Sequence, residues 1–98
     1  SALDYAERAH QLRPRNPAVI VTLFDLLLTS KRWDRALSLL VDAQKASVFS
    51  EEELTHRRAL LITAKAEDAI AAGENAEAIK LLRKALNSAG YFPRIPDG

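Results

Sequence analysis

Histidines and a spaced pair of carboxylates are the side chains in this sequence that could act as acids, bases or metal ligands. His10 and His56 are the two histidines, 46 residues apart, and the sequence holds no cysteine and no methionine. No H-E-x-x-H is present and no two histidines fall on one helix face, so a metal-assisted hydrolase has no ligand set here. Asp25 and Glu67 stand 42 residues apart. Three glycines are too few for a phosphate-cradling loop, and they fall at helix ends or at the terminus. No nucleophile motif appears. His56, Arg57, Arg58 and Lys65 make a basic flank after the acidic Glu51, Glu52 and Glu53. That order matches a helix dipole and helical charge pairing, and a solvated face explains it without a phosphate site. The expectation is a non-enzyme with no cofactor and no metal site.

The elements that position these residues follow from periodicity and caps. Lys and Arg number 14 against 13 Asp and Glu, a net charge of +1, which draws the chain neither to nucleic acid nor to anionic lipid. With 98 residues, 48% of them apolar, one soluble domain is expected. Ser1 rather than methionine at the start suggests a piece of something longer. The most apolar run, residues 18–28, is too short to span a bilayer and is interrupted by Asp25.

Five helices and no strands are expected. The first covers residues 1–13, with Leu3, Ala6, Ala9 and Leu12 on its inner side and Pro14 as its stop. Asn16-Pro17 is a cap followed by a first-turn proline, opening a nearly all-apolar segment to about residue 30. Such a run could be a buried strand, and its caps and length favour helix. Trp33 opens a third helix to about residue 46, burying Ala36, Leu37, Leu40 and Ala43, with Trp33 itself packed at the turn. Ser50 and Glu53 form a capping box ahead of a long helix to residue 72, closed by Gly73. Asn75 caps the last helix, which ends near Ser88 and Gly90. Residues 91–98, with two prolines, form an extended tail whose Tyr91 and Phe92 pack on that helix.

Three of these helices repeat one pattern: Ala2, Ala6, Ala9; then Ala36, Leu40, Ala43; then Ala78, Leu82, Ala85. The first two sets lie 34 residues apart and the next 42, which is the same period lengthened by 8. A fixed period near this length marks a helical array whose neighbouring units bury each other. The domain therefore reads as residues 1–90: a half repeat 1–16, a repeat 17–50 and a lengthened repeat 51–90, followed by the tail.

On Ala2, Ala6, Ala9, Pro14, Phe24, Leu27, Trp33, Ala36, Leu40, Ala43, Ala66, Ala69, Gly73, Ala78, Leu82 and Ala85, the chain resembles a tetratricopeptide repeat protein. Val48 and Gly90 stand where later closing prolines would fall, so two repeats depart from the pattern. The resemblance implies an all-α, right-handed superhelical array of antiparallel helix pairs that binds protein partners. More narrowly, Phe24-Asp25-Leu26, Trp33, Ala36-Leu37, Ala43, Glu51-Glu52 and Arg57-Arg58-Ala59 resemble the carboxy-terminal repeat region of HemY. HemY proteins are proteobacterial, anchored in the inner membrane and associated with late haem biosynthesis. That resemblance implies a scaffold for haem-pathway enzymes, its anchor outside this sequence. A general bacterial adaptor for an apolar or helical peptide, or a module binding tetrapyrrole directly, remain the alternatives. Haem ligation needs His, Cys, Met or Tyr in an enclosed pocket, and His10 and His56 form no local motif for it.

In such an array the first helices of successive repeats line a concave groove. The resemblance then places Ala18, Val21, Asp25, Leu28 and Thr29 on that surface, with Leu60, Thr63, Glu67, Ile70 and Ala71 from the lengthened helix. Asp25 and Glu67 occupy equivalent positions, which accounts for the pair without catalysis. The groove reads as a site for an apolar segment bearing a basic residue, or as surface covered by further parts of an array or by the tail. Two carboxylates would repel the acidic carboxyl-terminal peptides that some domains of this family grip. An incomplete array also exposes apolar ends through which copies would associate.

Overall fold

The computed structural model describes residues 1–88. It contains α1 (Ala2–Leu12), α2 (Pro17–Thr29), α3 (Trp33–Lys45), α4 (Glu51–Ala71) and α5 (Asn75–Ser88), with no strand among the described residues. Two compact units are distinguishable, Ser1–Leu54 and a second beginning at Thr55.

In the first unit, α1 packs on α2 and α2 on α3. Asn16 accepts a hydrogen bond from the Val19 amide at 3.2 Å, and Pro17 pre-sets the first helical φ, so the apolar run is committed to helix. Ile20, Leu23, Phe24 and Leu27 recur at helical spacing along one side of α2, and each is 0–1% exposed. Removing each from water contributes about 1.5–3 kcal/mol. From α3, Ala36, Leu39, Leu40 and Ala43 are buried. Leu37 is 48% exposed, contrary to the sequence expectation, and Leu39 takes its place in the core. The reason is the direction of the helix face: Leu37 shares its side of α3 with the exposed Val41 and Gln44.

The inner side of α1 also differs from expectation. Leu12 is 76% exposed, and Ala6 is the buried residue, with Leu3, Glu7, Ala9 and His10 half-buried around it. Ser1 and Asp4 form a capping box at its start, Ser1 Oγ accepting from the Asp4 amide at 3.3 Å and donating to its carboxylate at 2.9 Å. Arg15, in the α1–α2 loop, donates from Nη2 to the Ala46 carbonyl at 2.9 Å and so satisfies the end of α3.

In the second unit, Leu61, Ala66, Ala69, Ala78 and Ala85 are buried, so alanine does much of the packing there. At the end of the first unit, Ser50 accepts from the Glu53 amide at 3.1 Å and caps the start of α4. Helix α5 begins at Asn75, one residue earlier than a cap at that position would place it; the Ala78 amide bonds to Glu74, which occupies the cap position. The expected tail, with Gly90, Tyr91 and Phe92, lies outside the described residues.

Three helices close with one backbone arrangement. After α2, Lys31 N–H donates to Leu28 and Arg32 N–H to Leu27; after α3, Ser47 to Gln44 and Val48 to Ala43; after α4, Gly73 to Ile70 and Glu74 to Ala69. Each is a Schellman motif, which needs a left-handed residue just past the helix. Lys31, Ser47 and Gly73 supply it, at φ of 59°, 55° and 80°. Glycine is at ease there, whereas a Cβ costs about 1 kcal/mol. An added Cβ at Gly73 would meet nothing within 4 Å, so any penalty at that site is one of backbone conformation alone. Ser47→Gly is therefore expected to raise the stability of its unit by roughly 0.5–1 kcal/mol, and Gly73→Ala to lower that of its own by about 1 kcal/mol. Urea titrations followed by far-ultraviolet circular dichroism check both signs.

Candidate functional site

The buried stripe of α2 leaves its other side open. Ala18, Asp25 and Thr29 are exposed there, and Val21 and Leu28 are half-buried. Thr22 and Thr29 donate their hydroxyl protons to the carbonyls of Ala18 and Asp25, both at 3.0 Å. Their hydroxyls are thus spent on their own helix, and the face presents methyl and aliphatic groups beside one carboxylate. Beside it, a hollow of about 200 Å³ lies between α1 and α2, lined by Ala6, Ala9, Ala18, Val19 and Thr22. The sequence reading gave Ala6 and Ala9 to packing alone. What it lacked was that alanines on α1 at close helical spacing also leave room against α2.

On α4, in the second unit, Glu67 and Ile70 are exposed, Ile70 by 51%, and Thr63 is half-buried. Leu60 and Ala71 are exposed as well. Asp25 and Glu67 thus belong to different units, each on an open helix side.

The positions singled out for the repeat pattern fall as follows. Phe24, Ala36, Leu40, Ala43, Ala78 and Ala85 are buried, Gly73 holds the left-handed turn, and Pro14 is exposed after α1. Trp33 is half-buried instead of enclosed between helices. It borders an open hollow of about 340 Å³ shared with Lys31, Arg32, Asp34 and Arg35, so the turn leaves part of its ring toward water.

The histidines are not brought together in one unit: His10 is half-buried on α1 and His56 is exposed on α4. His10 Nδ1 is shut off from solvent and makes no hydrogen bond among the described residues. Among the described residues no group of three His, Cys, Asp or Glu could hold a metal ion. No helix of the described residues is long and apolar enough to cross a membrane.

Against this frame of a capped, buried α2 between two helices that share a 34-residue register, the tetratricopeptide repeat family matches residues 1–52. The chain belongs to the tetratricopeptide repeat family. No curated protein and no solved structure matches it. Tetratricopeptide domains are stacked helical repeats whose surfaces bind protein partners, in general without catalysis.

The bidentate ion pair of the first unit lies away from the open face. Arg35 on α3 donates from Nε and Nη2 to the two carboxylate oxygens of Glu7 on α1, at 3.0 and 2.8 Å, and from Nη1 to Ser38 Oγ at 3.1 Å. This bidentate fork joins α3 to α1. The Arg35 hydrogen bond holds the Glu7 carboxyl below its ordinary value against the opposing effect of burial, with the charges of Arg35 and His10 acting in the same direction. Both side chains keep about a third of their surface in water, 34% and 35%, so solvent weakens the pair to about 1 kcal/mol or less. Because the folded-state value is depressed, the stabilisation is complete above the ordinary glutamate value of 4.5 and is lost as pH falls through the lower folded value. Glu7→Gln should accordingly lower stability at pH 7 by up to about 1 kcal/mol, with the gap from wild type closing below pH 4.5. Thermal unfolding at stepped pH measures that gap.

Proposed function

We propose that the chain is a non-catalytic interaction scaffold whose open α2 face receives an apolar or helical segment carrying a basic residue. One observation carries the reading: a helix buried on one side by Ile20, Leu23, Phe24 and Leu27 carries on its other side the half-buried Val21 and Leu28 beside the exposed Asp25. An amphipathic segment lays its apolar face on such a strip, and the carboxylate selects a cation at its rim. Thr63, Glu67 and Ile70 of α4 repeat the same combination in the lengthened repeat, on the expectation that residues 17–50 and 51–90 are successive units of one array. The α2 face commits to a basic peptide and against an acidic one, because an acidic segment would meet Asp25 with like charge.

The haem-pathway setting is proposed as well. It is supported by the order Phe24-Asp25-Leu26, Trp33, Ala36-Leu37, Ala43 and Arg57-Arg58-Ala59, which resembles HemY, and by the 8-residue lengthening before Ala59. On that reading the partners are enzymes of late haem biosynthesis at a bacterial inner membrane, and the array holds them rather than the tetrapyrrole.

Two experiments test these readings. Peptides selected from a random displayed library against the chain should be enriched in apolar residues at helical spacing with a nearby Lys or Arg. Asp25→Lys should weaken them by about tenfold while leaving the unfolding midpoint unchanged. Enrichment of acidic peptides, or affinity indifferent to Asp25→Lys, would contradict the α2 site. In the second, haemin is titrated into wild type and a His10→Ala/His56→Ala variant and the Soret band followed. No histidine-dependent saturable binding is expected; its appearance would make the chain a tetrapyrrole binder.

A further inference from the structure

We infer that the exposed side of α3 is an interface between two copies of this chain, paired antiparallel about a two-fold axis and independent of the open face of α2. The inward side of α3 is fixed within the first unit: Ala36, Leu39, Leu40 and Ala43 are buried, and Arg35 is forked onto Glu7. Around the helix from these, Leu37 is 48% and Val41 38% exposed. They stand four apart and so share one face, with the half-buried Trp33 one turn before them. Asp34 and Lys45, both exposed, mark the two ends of this strip. Neither has an ion-pair partner among the described residues.

The internal repeat does not require this set. At the spacing of 34, Val41 answers to Glu7 and Lys45 to Gln11 on α1. At the spacing of 42, Val41 answers to Arg83, Asp34 to Ala76 and Lys45 to Asn87 on α5. Both other copies of the pattern put a charge where α3 has Val41, and neither carries the charged ends. An apolar residue in water at that place adds nothing to packing within the array, and a second surface laid on it gains by removing it from water.

The strip is complementary to itself. Turning a second α3 antiparallel, with the axis beside residue 39, lays Leu37 on Val41 of the second copy and Val41 on its Leu37. The same operation brings Asp34 toward Lys45 of the second copy, and Lys45 toward its Asp34, giving two symmetric ion pairs. A parallel pair would set Asp34 against Asp34 and Lys45 against Lys45, which like charge disfavours. Trp33, Leu37, Val41 and Lys45 follow one another at four-residue steps, the ridge that interdigitates in the commonest class of helix packing. One helix pair buries less than about 1,200 Å² in total, which makes this a weak dimer with a Kd on the order of 0.1–1 mM.

Translational diffusion of the full 98-residue chain, measured by nuclear magnetic resonance from about 20 μM to about 2 mM, reads the association. Dimer should accumulate across that range and be abolished by Leu37→Arg. Asp34→Lys and Lys45→Asp should each raise Kd by about fivefold, and the double variant Asp34→Lys/Lys45→Asp should return it nearly to the wild-type value. Circular dichroism of these variants should match wild type, since the altered side chains are exposed. A chain that stays monomeric throughout overturns the inference. So does a dimer that survives Leu37→Arg, or one in which the double reversal fails to restore affinity. Leu12→Arg, on the exposed side of α1, should leave the dimer intact; its loss there would place the contact on α1 and likewise overturn the inference. None of these residues lies on α2, so failure of that face as a peptide site leaves the result readable.

Discussion

Ile20, Leu23, Phe24 and Leu27 line one side of α2 and are shut off from water in a unit where α2 packs on both α1 and α3. Each contributes about 1.5–3 kcal/mol of burial, while the Glu7–Arg35 fork, a third exposed at both ends, contributes about 1 kcal/mol or less. Burial therefore decides the arrangement, and the ion pair acts within it, fixing which carboxylate on α1 faces which guanidinium on α3. With one side of α2 so occupied, its caps and its turn at Lys31 hold the remaining side, from Ala18 to Thr29, in a fixed orientation toward solvent. A surface of that kind is preorganised: a partner meets it without ordering the helix first.

Much of this was legible in the sequence because caps and periodicity are local signals. Asn16-Pro17 settles helix against strand for the run from Val19 to Leu28, and Ala36, Leu40 and Ala43 are buried where the repeat pattern puts them. Misreadings arose where two apolar neighbours compete for one core position. Leu37 and Leu39 are equally apolar, and only the packing direction of α3 separates an exposed residue from a buried one. Leu12 failed for a related reason, since α1 turns Ala6 and His10 inward rather than the side that carries Leu12. Lys31 and Ser47 hid their left-handed turns by not being glycine. The contacts of Arg35 with Glu7 and of Arg15 with Ala46 join residues about 30 apart, beyond the reach of any local pattern.

The candidate site was legible in part for a physical reason. The family resemblance sets Asp25 and Glu67 in equivalent positions, and each is exposed on its own helix, in different units. Spacing does not reveal hollows. The space between α1 and α2 exists because Ala6, Ala9 and Ala18 are too small to fill it, and that requires the distance between helices. In the same region Thr22 and Thr29 spend their hydroxyls on their own backbone, and His10 Nδ1 is closed off on another helix. What the open side of α2 presents is shape, apolar area and the carboxylate of Asp25.

The most direct test is a methyl-resolved nuclear magnetic resonance titration of the chain with a peptide from the library selection. If, as proposed, one side of α2 holds the unit and the other receives the partner, the methyl signals of Val21 and Leu28 should move while those of Ile20, Leu23 and Leu27 stay in place. Shifts concentrated on the buried methyls, or none anywhere on α2, would contradict the division of labour on which the account stands.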